Sequence, residues 1–177
     1  MVKLHLGCGK RFIPGFIHVD VLDYPHVDHR LPADNLSIFG DNSVDLIYAC
    51  HLLEHFKRGD TEKVLREWHR ILRPGGILRI AVPDFDKLVE VYQKYKDIGL
   101  ILGPLCGRQD HEFNVHYNVF NFISLRALLL KVGFKIARKY DWKQTEHANV
   151  DDFSQAYIPH MDKENGILIS LNVEAVK

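Results

Sequence analysis

Lys3-Leu4-His5-Leu6-Gly7-Cys8-Gly9-Lys10, followed after a short turn by Ile17-His18-Val19-Asp20, is the stretch that decides the fold. An apolar strand stops at two glycines, and a second apolar strand stops at a carboxylate. In an open parallel sheet the carboxyl ends of neighbouring strands border one crevice, so the glycines and Asp20 are expected to face the same bound molecule. Gly7 and Gly9 lack Cβ, which lets the backbone turn sharply and come close to a ligand. Asp20 can accept two hydrogen bonds from a ribose diol. The pattern points to an adenosine-type ligand, with a plain tight turn as the simpler reading. A dinucleotide fingerprint requires a third glycine at position 12, where Phe12 stands, so a pyrophosphate-bearing cofactor is disfavoured.

Outward from this stretch, residues 10–15 are too few and too rich in turn formers for a crossover helix, and a loop or single turn is expected in its place. The first strand begins at residue 2, so any cover over the site is expected from later in the chain. A short third strand is expected around residues 26–31, which puts Asp34 just past a strand end on the edge that carries Asp20. Residues 44–50 form a near-continuous apolar run suited to a central strand that ends at His51.

The segment 60–72, with Asp60 as expected N-cap, places Val64, Leu65, Trp68, Ile71 and Leu72 on one helical face. Pro74-Gly75-Gly76 ends it, residues 76–82 form another strand, and Leu88, Val89, Tyr92 and Tyr95 mark a second helix. Strand, helix, strand, helix is the doubly wound α/β pattern. Residues 99–121, with Arg108, Asp110, His111, His116 and Tyr117, break the rhythm and are read as a loop or cap over the ligand edge. Ser124 is the expected cap of a helix that Gly133 closes. Residues 134–142 and 167–176 are expected as an antiparallel edge pair flanking an insertion at 143–166.

The length of 177 residues, with 46% hydrophobic and 26% charged, suits a single domain with its own core over residues 1–177. Lys plus Arg and Asp plus Glu balance at 23 each, so net charge indicates no nucleic-acid partner. No apolar run reaches membrane-spanning length. Cys8, Cys50 and Cys106 are odd in number and widely spaced, which suits a reducing, cytoplasmic setting. Histidine is abundant, at 11 residues.

Taken together, Leu6-Gly7-Cys8-Gly9, Val19-Asp20, the run from Asp41 to Ile47, Leu53-Glu54-His55, and Trp68-His69-Arg70-Ile71-Leu72-Arg73-Pro74-Gly75-Gly76 resemble the class I S-adenosylmethionine-dependent methyltransferases, of the type 11 kind. The resemblance spans residues 2–83 and extends to Gly133-Phe134 and the final strand pair. It implies a doubly wound, Rossmann-like, mostly parallel seven-stranded sheet with an antiparallel last strand, in a three-layer α/β/α sandwich. It also implies S-adenosyl-L-methionine as cofactor; a small-molecule acceptor is expected, although nothing in residues 99–121 or 143–166 distinguishes a sugar, a lipid headgroup, a small metabolite or a protein side chain. Carried over by position, Gly7, Cys8 and Gly9 back the methionine part, Asp20 takes the ribose hydroxyls, Asp34 sits by the adenine, and Cys50 and His51 line the methyl-donor side. Where the family has a further glycine and a full helix, this chain has residues 10–15, and Lys10 or Arg11 is expected to supply the charge for the cofactor's carboxylate.

Methyl transfer from a sulfonium needs alignment above all, with a base helpful for a hydroxyl or amine acceptor. His51, Asp84 and His116 are the candidates for that base; against each stand the roles of cofactor wall, helix N-cap and loop histidine. Two rival readings remain at this level. One is a cofactor-binding domain without catalysis. The other is a zinc hydrolase using His51-Leu52-Leu53-Glu54-His55, which matches H-x-x-E-H. The zinc reading leaves the glycine motif unexplained, and no metal is expected.

Overall fold

A computed structural model describes residues 1–110 and 112–177; His111, one of the expected cap residues, lies outside the described residues. In chain order the strands and helices are β1 (Lys3–Leu6), β2 (Ile17–Asp20), β3 (His29–Arg30), β4 (Val44–Cys50), α1 (Thr61–Ile71), β5 (Leu72–Pro83), α2 (Phe85–Tyr95), α3 (Gly99–Cys106), α4 (Phe122–Val132), β6 (Ile136–Lys139), β7 (Tyr157–Ile158), β8 (Ile167–Leu168) and β9 (Ser170–Val176). Seven strands form one sheet in the order β3-β2-β1-β4-β5-β9-β6, while β7 and β8 pair separately. The pairs from β3 across to β5 are parallel, and β9 runs antiparallel to both β5 and β6. The expected seven-stranded doubly wound sheet with its antiparallel last strand is the one found.

The order reverses between β1 and β4, so the crevice for a ligand opens at the carboxyl ends of these two strands and β2. One face of the sheet carries the main core. Val64, Leu65, Trp68 and Ile71 of α1, with Leu125, Leu129 and Val132 of α4, close over Leu4, Leu6, Val19, Ile47, Ile80 and Val173. The Trp68 indole is fully buried, and its Nε1–H donates to the Ala33 carbonyl at 2.7 Å, so a large apolar group enters the core without orphaning its one donor.

The opposite face is covered without long helices. Residues 10–16 take the place of the first crossover helix as a loop. Ile13 and Phe16 pack on Leu46 and Tyr48, and Ile13 N–H donates to His18 Nε2 at 3.0 Å. Phe12, the residue where a dinucleotide site would have glycine, stacks on the His18 ring at 5.0 Å. Residues 142–156 complete the cover through short 3-10 turns. Tyr48 donates its hydroxyl to Asp152 Oδ2 at 2.7 Å, and Asp152 Oδ1 accepts from Ser154 N–H and Oγ. A small second core of Leu88, Val91, Ile101, Ile158 and Ile169 joins α2 and α3 to the β7-β8 hairpin.

Several boundaries differ from the sequence reading. Residues 99–106 form α3, because Ile101 and Leu105 pack into a small core with α2 and outweigh the breakers; Pro104 sits within this short helix. The cap of α4 is Asn121, not Ser124: Ser124 occupies the third helical position and exchanges hydrogen bonds with Asn121 in a reciprocal capping box. Asp60 occupies the N-cap position of α1 but its side chain caps nothing. The expected last strand is split: Ile169 leaves the β8 pairing, donating its N–H to the Ala156 carbonyl, before β9 begins. The expected strand over 134–142 narrows to β6, with Trp142 turning inward, and β3 keeps only two residues.

Candidate active site

Gly7 and Gly9 both lie in the left-handed region, with φ of +61° and +53°. A Cβ at Gly7 would stand 2.7 Å from Leu52 Cδ1, so this position needs glycine for its backbone and for its neighbour. Gly9 N–H donates to Asp20 Oδ2 at 2.8 Å, and Leu22 N–H donates to Asp20 Oδ1 at 2.8 Å. The glycine turn and the end of β2 are thus one hydrogen-bonded unit, and Asp20 is fixed by two backbone donors. Cys8 is buried inside that turn. Burial and then the Asp20 charge push its thiol up to about 12, so it stays neutral and packs as a small apolar group. Arg11 is tied to the covering segment, its Nε donating to the Asp151 carbonyl. Lys10 is exposed.

At the end of β4, His51 takes φ +50°, an unusual value for a residue with a side chain, which turns the chain out of the sheet. Its Nε2 lies 3.1 Å from Ser170 Oγ at the start of β9, and its Nδ1 lies 3.3 Å from Glu54 Oε1 without hydrogen-bond alignment. Burial, with the nearby His116 and His55, lowers His51 to about 3 and holds it neutral. Burial likewise drives the Cys50 thiol well above its ordinary range.

Leu53–His55 forms a single 3-10 turn, so His51 and His55 are not one α-helical turn apart and the H-x-x-E-H geometry of a zinc hydrolase is absent. The turn instead buries Glu54 completely. Among the described residues neither of its carboxylate oxygens has a hydrogen-bond partner, and burial pushes the group up to about 8. Beside it stand His55 and His116, their rings 4.7 Å apart and edge-on. His55 Nδ1 is 3.1 Å from the Val115 carbonyl, and His116 Nδ1 is 2.8 Å from the Pro104 carbonyl. The segment carrying His116 is fastened to the turn, since Tyr117 N–H donates to the Glu54 carbonyl at 2.8 Å and Arg58 Nε to the Tyr117 carbonyl at 3.1 Å.

Of the residues singled out from sequence, the structure gathers Gly7, Cys8, Gly9 and Asp20 into one unit, and Cys50 and His51 at the neighbouring strand end. His116 joins Glu54 and His55. Asp84 stands apart in role, since its carboxylate accepts the Asp86 N–H at 3.2 Å and caps α2. Asp34 lies past β3 on the rim of a 640 Å³ depression that Lys63, Glu67 and Arg70 of α1 also line. Sequence reasoning missed Ser170 as the partner of His51, 119 residues away in the chain, and no local signal marks it. The H-x-x-E-H match pointed at Glu54 and His55, and the structure adds His116 beside them.

Residues 17–80 match the methyltransferase domain family. No curated protein matches the chain. Among solved structures, the N1-methyltransferase of 1,6-didemethyltoxoflavin from Burkholderia thailandensis, crystallised with its substrate and S-adenosylhomocysteine, is 18% identical, with TM-score 0.60 over 99% of this chain and 70% of that one. A possible histamine N-methyltransferase from Thermotoga maritima is 19% identical, with TM-score 0.59 over 99% of this chain and 82% of that one. An S-adenosylmethionine-dependent methyltransferase from Archaeoglobus fulgidus is 15% identical, with TM-score 0.61 over 99% and 85%. At these identities the likeness to the solved structures is one of fold. Residues 17–80 thus resemble a methyltransferase domain, and the whole chain shares the fold of these solved methyltransferases.

Proposed function

We propose that the protein moves the methyl group of S-adenosylmethionine to a small-molecule acceptor, with the cofactor lying across the ends of β1, β2 and β4. Gly7, Cys8 and Gly9 back its methionine part with main-chain groups, Asp20 takes the ribose hydroxyls, Asp34 stands by the adenine, and Cys50 and His51 wall the methyl-donor side. The observation that carries this reading is the hydrogen bond from Gly9 N–H to Asp20 Oδ2, which presets the glycine turn and the ribose ligand against each other. Each Asp20 oxygen holds one backbone N–H and keeps a further lone pair for a hydroxyl. Lys10 or Arg11 supplies the charge for the cofactor carboxylate; Lys10 is exposed, and Arg11 has its Nε at the Asp151 carbonyl.

The transfer is an in-line displacement: an acceptor lone pair forms a bond to the methyl carbon as the carbon–sulfur bond breaks, leaving S-adenosylhomocysteine. The sulfonium brings its own activation, so the protein's part is alignment. The acceptor lies between the β4 end and the segment that carries His116. Of the three side chains proposed at its heteroatom, His51 has both ring nitrogens near partners and Asp84 is bound into a helix cap. His116 has one ring nitrogen engaged, at Pro104, and turns the other side of its ring toward Glu54 and His55. The three free cysteines are consistent with a reducing, cytoplasmic location, and no helix among the described residues is long and apolar enough to cross a membrane.

Release of S-adenosylhomocysteine, followed over a panel of small hydroxyl- and amine-bearing acceptors, tests the proposal. Turnover with one acceptor class supports it. His116→Ala is then expected to lower kcat by on the order of a hundredfold while cofactor affinity stays within about threefold, a change of roughly 0.7 kcal/mol or less. Tight cofactor binding with no transfer to any acceptor would leave a binding domain without catalysis.

A further inference from the structure

Glu54 is a carboxylate fully buried beside the end of β4. Its relative exposure is 0%, and among the described residues neither oxygen accepts a hydrogen bond. A carboxylate removed from water without partners costs several kcal/mol, and buried carboxylates are retained where a cation or a set of donors offsets that cost. No arginine or lysine pairs with it among the described residues. Imidazoles face it: His51 Nδ1 lies 3.3 Å from Oε1 without hydrogen-bond alignment, and one ligand atom each from Glu54, His55 and His116 lie within 4.8 Å of one another.

The imidazoles are held in a particular way. His55 Nδ1 meets the Val115 carbonyl and His116 Nδ1 meets the Pro104 carbonyl. A carbonyl only accepts, so in each ring Nδ1 carries the proton, and Nε2 is the nitrogen that can serve as a ligand in the neutral tautomer. Histidines that bind metal commonly donate their other ring N–H to a backbone carbonyl in this way, which fixes both tautomer and ring orientation. Two rings held like this beside one orphaned, fully buried carboxylate make a His2Glu set, a combination used for zinc with an open fourth position.

We propose that Glu54, His55 and His116 bind one divalent transition-metal cation of the zinc class. Imidazole nitrogen with a single carboxylate favours such ions over magnesium and calcium, which prefer all-oxygen shells. With ligand bonds of about 2.1 Å, a tetrahedral site has ligand atoms roughly 3.4 Å apart. From within 4.8 Å, small side-chain shifts close the set around an ion. Glu54 comes from the turn after β4 and His116 from the segment after α3, so the ion ties that segment to the sheet edge beside His51. The site's existence does not depend on methyl transfer, and with the ion bound His116 Nε2 is a ligand, so His116 then holds the acceptor segment in place and does not take the acceptor's proton.

The test uses the intact protein, stripped of metal with a chelator and titrated by calorimetry with zinc chloride, with magnesium and calcium chlorides as comparisons. One equivalent of zinc is expected, with affinity well above that for magnesium or calcium. Glu54→Gln and His116→Ala, each shown by circular dichroism to be folded, are expected to weaken zinc binding by at least tenfold. His160→Ala, an exposed histidine outside the cluster, should leave affinity unchanged. Cobalt(II) loaded into the unmutated protein should give visible d–d absorption that zinc abolishes. No zinc binding by the unmutated protein, or binding equal in Glu54→Gln and His116→Ala, would overturn the proposal. S-adenosylmethionine binding measured on the metal-free protein reports separately on the cofactor reading.

Discussion

The two faces of the sheet solve the same problem with different chemistry. Under α1 and α4 the contact is apolar: Leu, Ile, Val and Trp68 close over one another. Under residues 10–16 and 142–156 there is no long helix to supply such a stripe, and the interior holds His5, His18, Tyr48, His147, Arg79, Asp152 and Asn172. Those side chains are joined by directed bonds. Arg79 donates to Glu146 at 2.7 Å and to Glu174 at 2.9 Å, Tyr48 donates to Asp152, and Asn172 Nδ2 donates to the Ser154 carbonyl. Burial of apolar area is tolerant of sequence and insensitive to pH, whereas a buried polar network depends on each partner and on protonation. The irregular cover is therefore the face that conditions should disturb first.

On the helical face, Trp68→Ala removes a fully buried indole and is expected to cost about 3–5 kcal/mol in urea unfolding, the largest single effect in the molecule. A loss below about 1 kcal/mol would mean that this face is not the principal core. On the polar face, Arg79→Met leaves Glu174 without its main cation and is expected to cost roughly 3 kcal/mol. Glu174→Gln, which keeps size and removes charge, should cost less; equal costs would point to packing in place of charge.

Acid separates the faces further. His5 is lowered to about 3, by burial first and then by His18, His147 and His26, and His147 is lowered to about 4, by burial first and then by Arg79. Their folded values lie below the free imidazole value of about 6.5. Between that value and about 3 to 4, the unfolded chain binds more protons than the folded one. Stability is thus complete above about pH 6.5 and is lost as pH falls through that window. A drop on the order of 2 kcal/mol by pH 4.5 is expected, and His147→Phe should flatten the slope. A pH-independent plateau down to 4.5 would show that these rings are protonated without cost.

The same contrast explains what was legible in the sequence. The central strands were readable because each is a near-continuous apolar run, α1 because it buries one apolar face with a fixed period, and the glycine turn because only glycine takes its backbone comfortably. The proposed cofactor side, Gly7 to Asp20, lies within 14 consecutive residues of the chain. The cap and the covering segment were not readable, because their structure rests on partners far away in sequence: Tyr48 with Asp152, His51 with Ser170, Glu54 with His116. Residues 99–106 looked like a loop because Gly and Pro mark breaks locally, yet packing of Ile101 against Leu88 and Val91 holds them as a helix. His116 was legible as a chemical group, but the carboxylate it faces could be found only in three dimensions.

Calorimetric titration with S-adenosylmethionine, repeated on Asp20→Ala, tests the central claim most directly. Binding of one equivalent is predicted, weakened at least tenfold in the variant, or about 1.4 kcal/mol, because both the ribose contact and the anchor of the Gly9 turn are lost. No binding by the unmutated protein, or equal affinity in Asp20→Ala, would contradict the account.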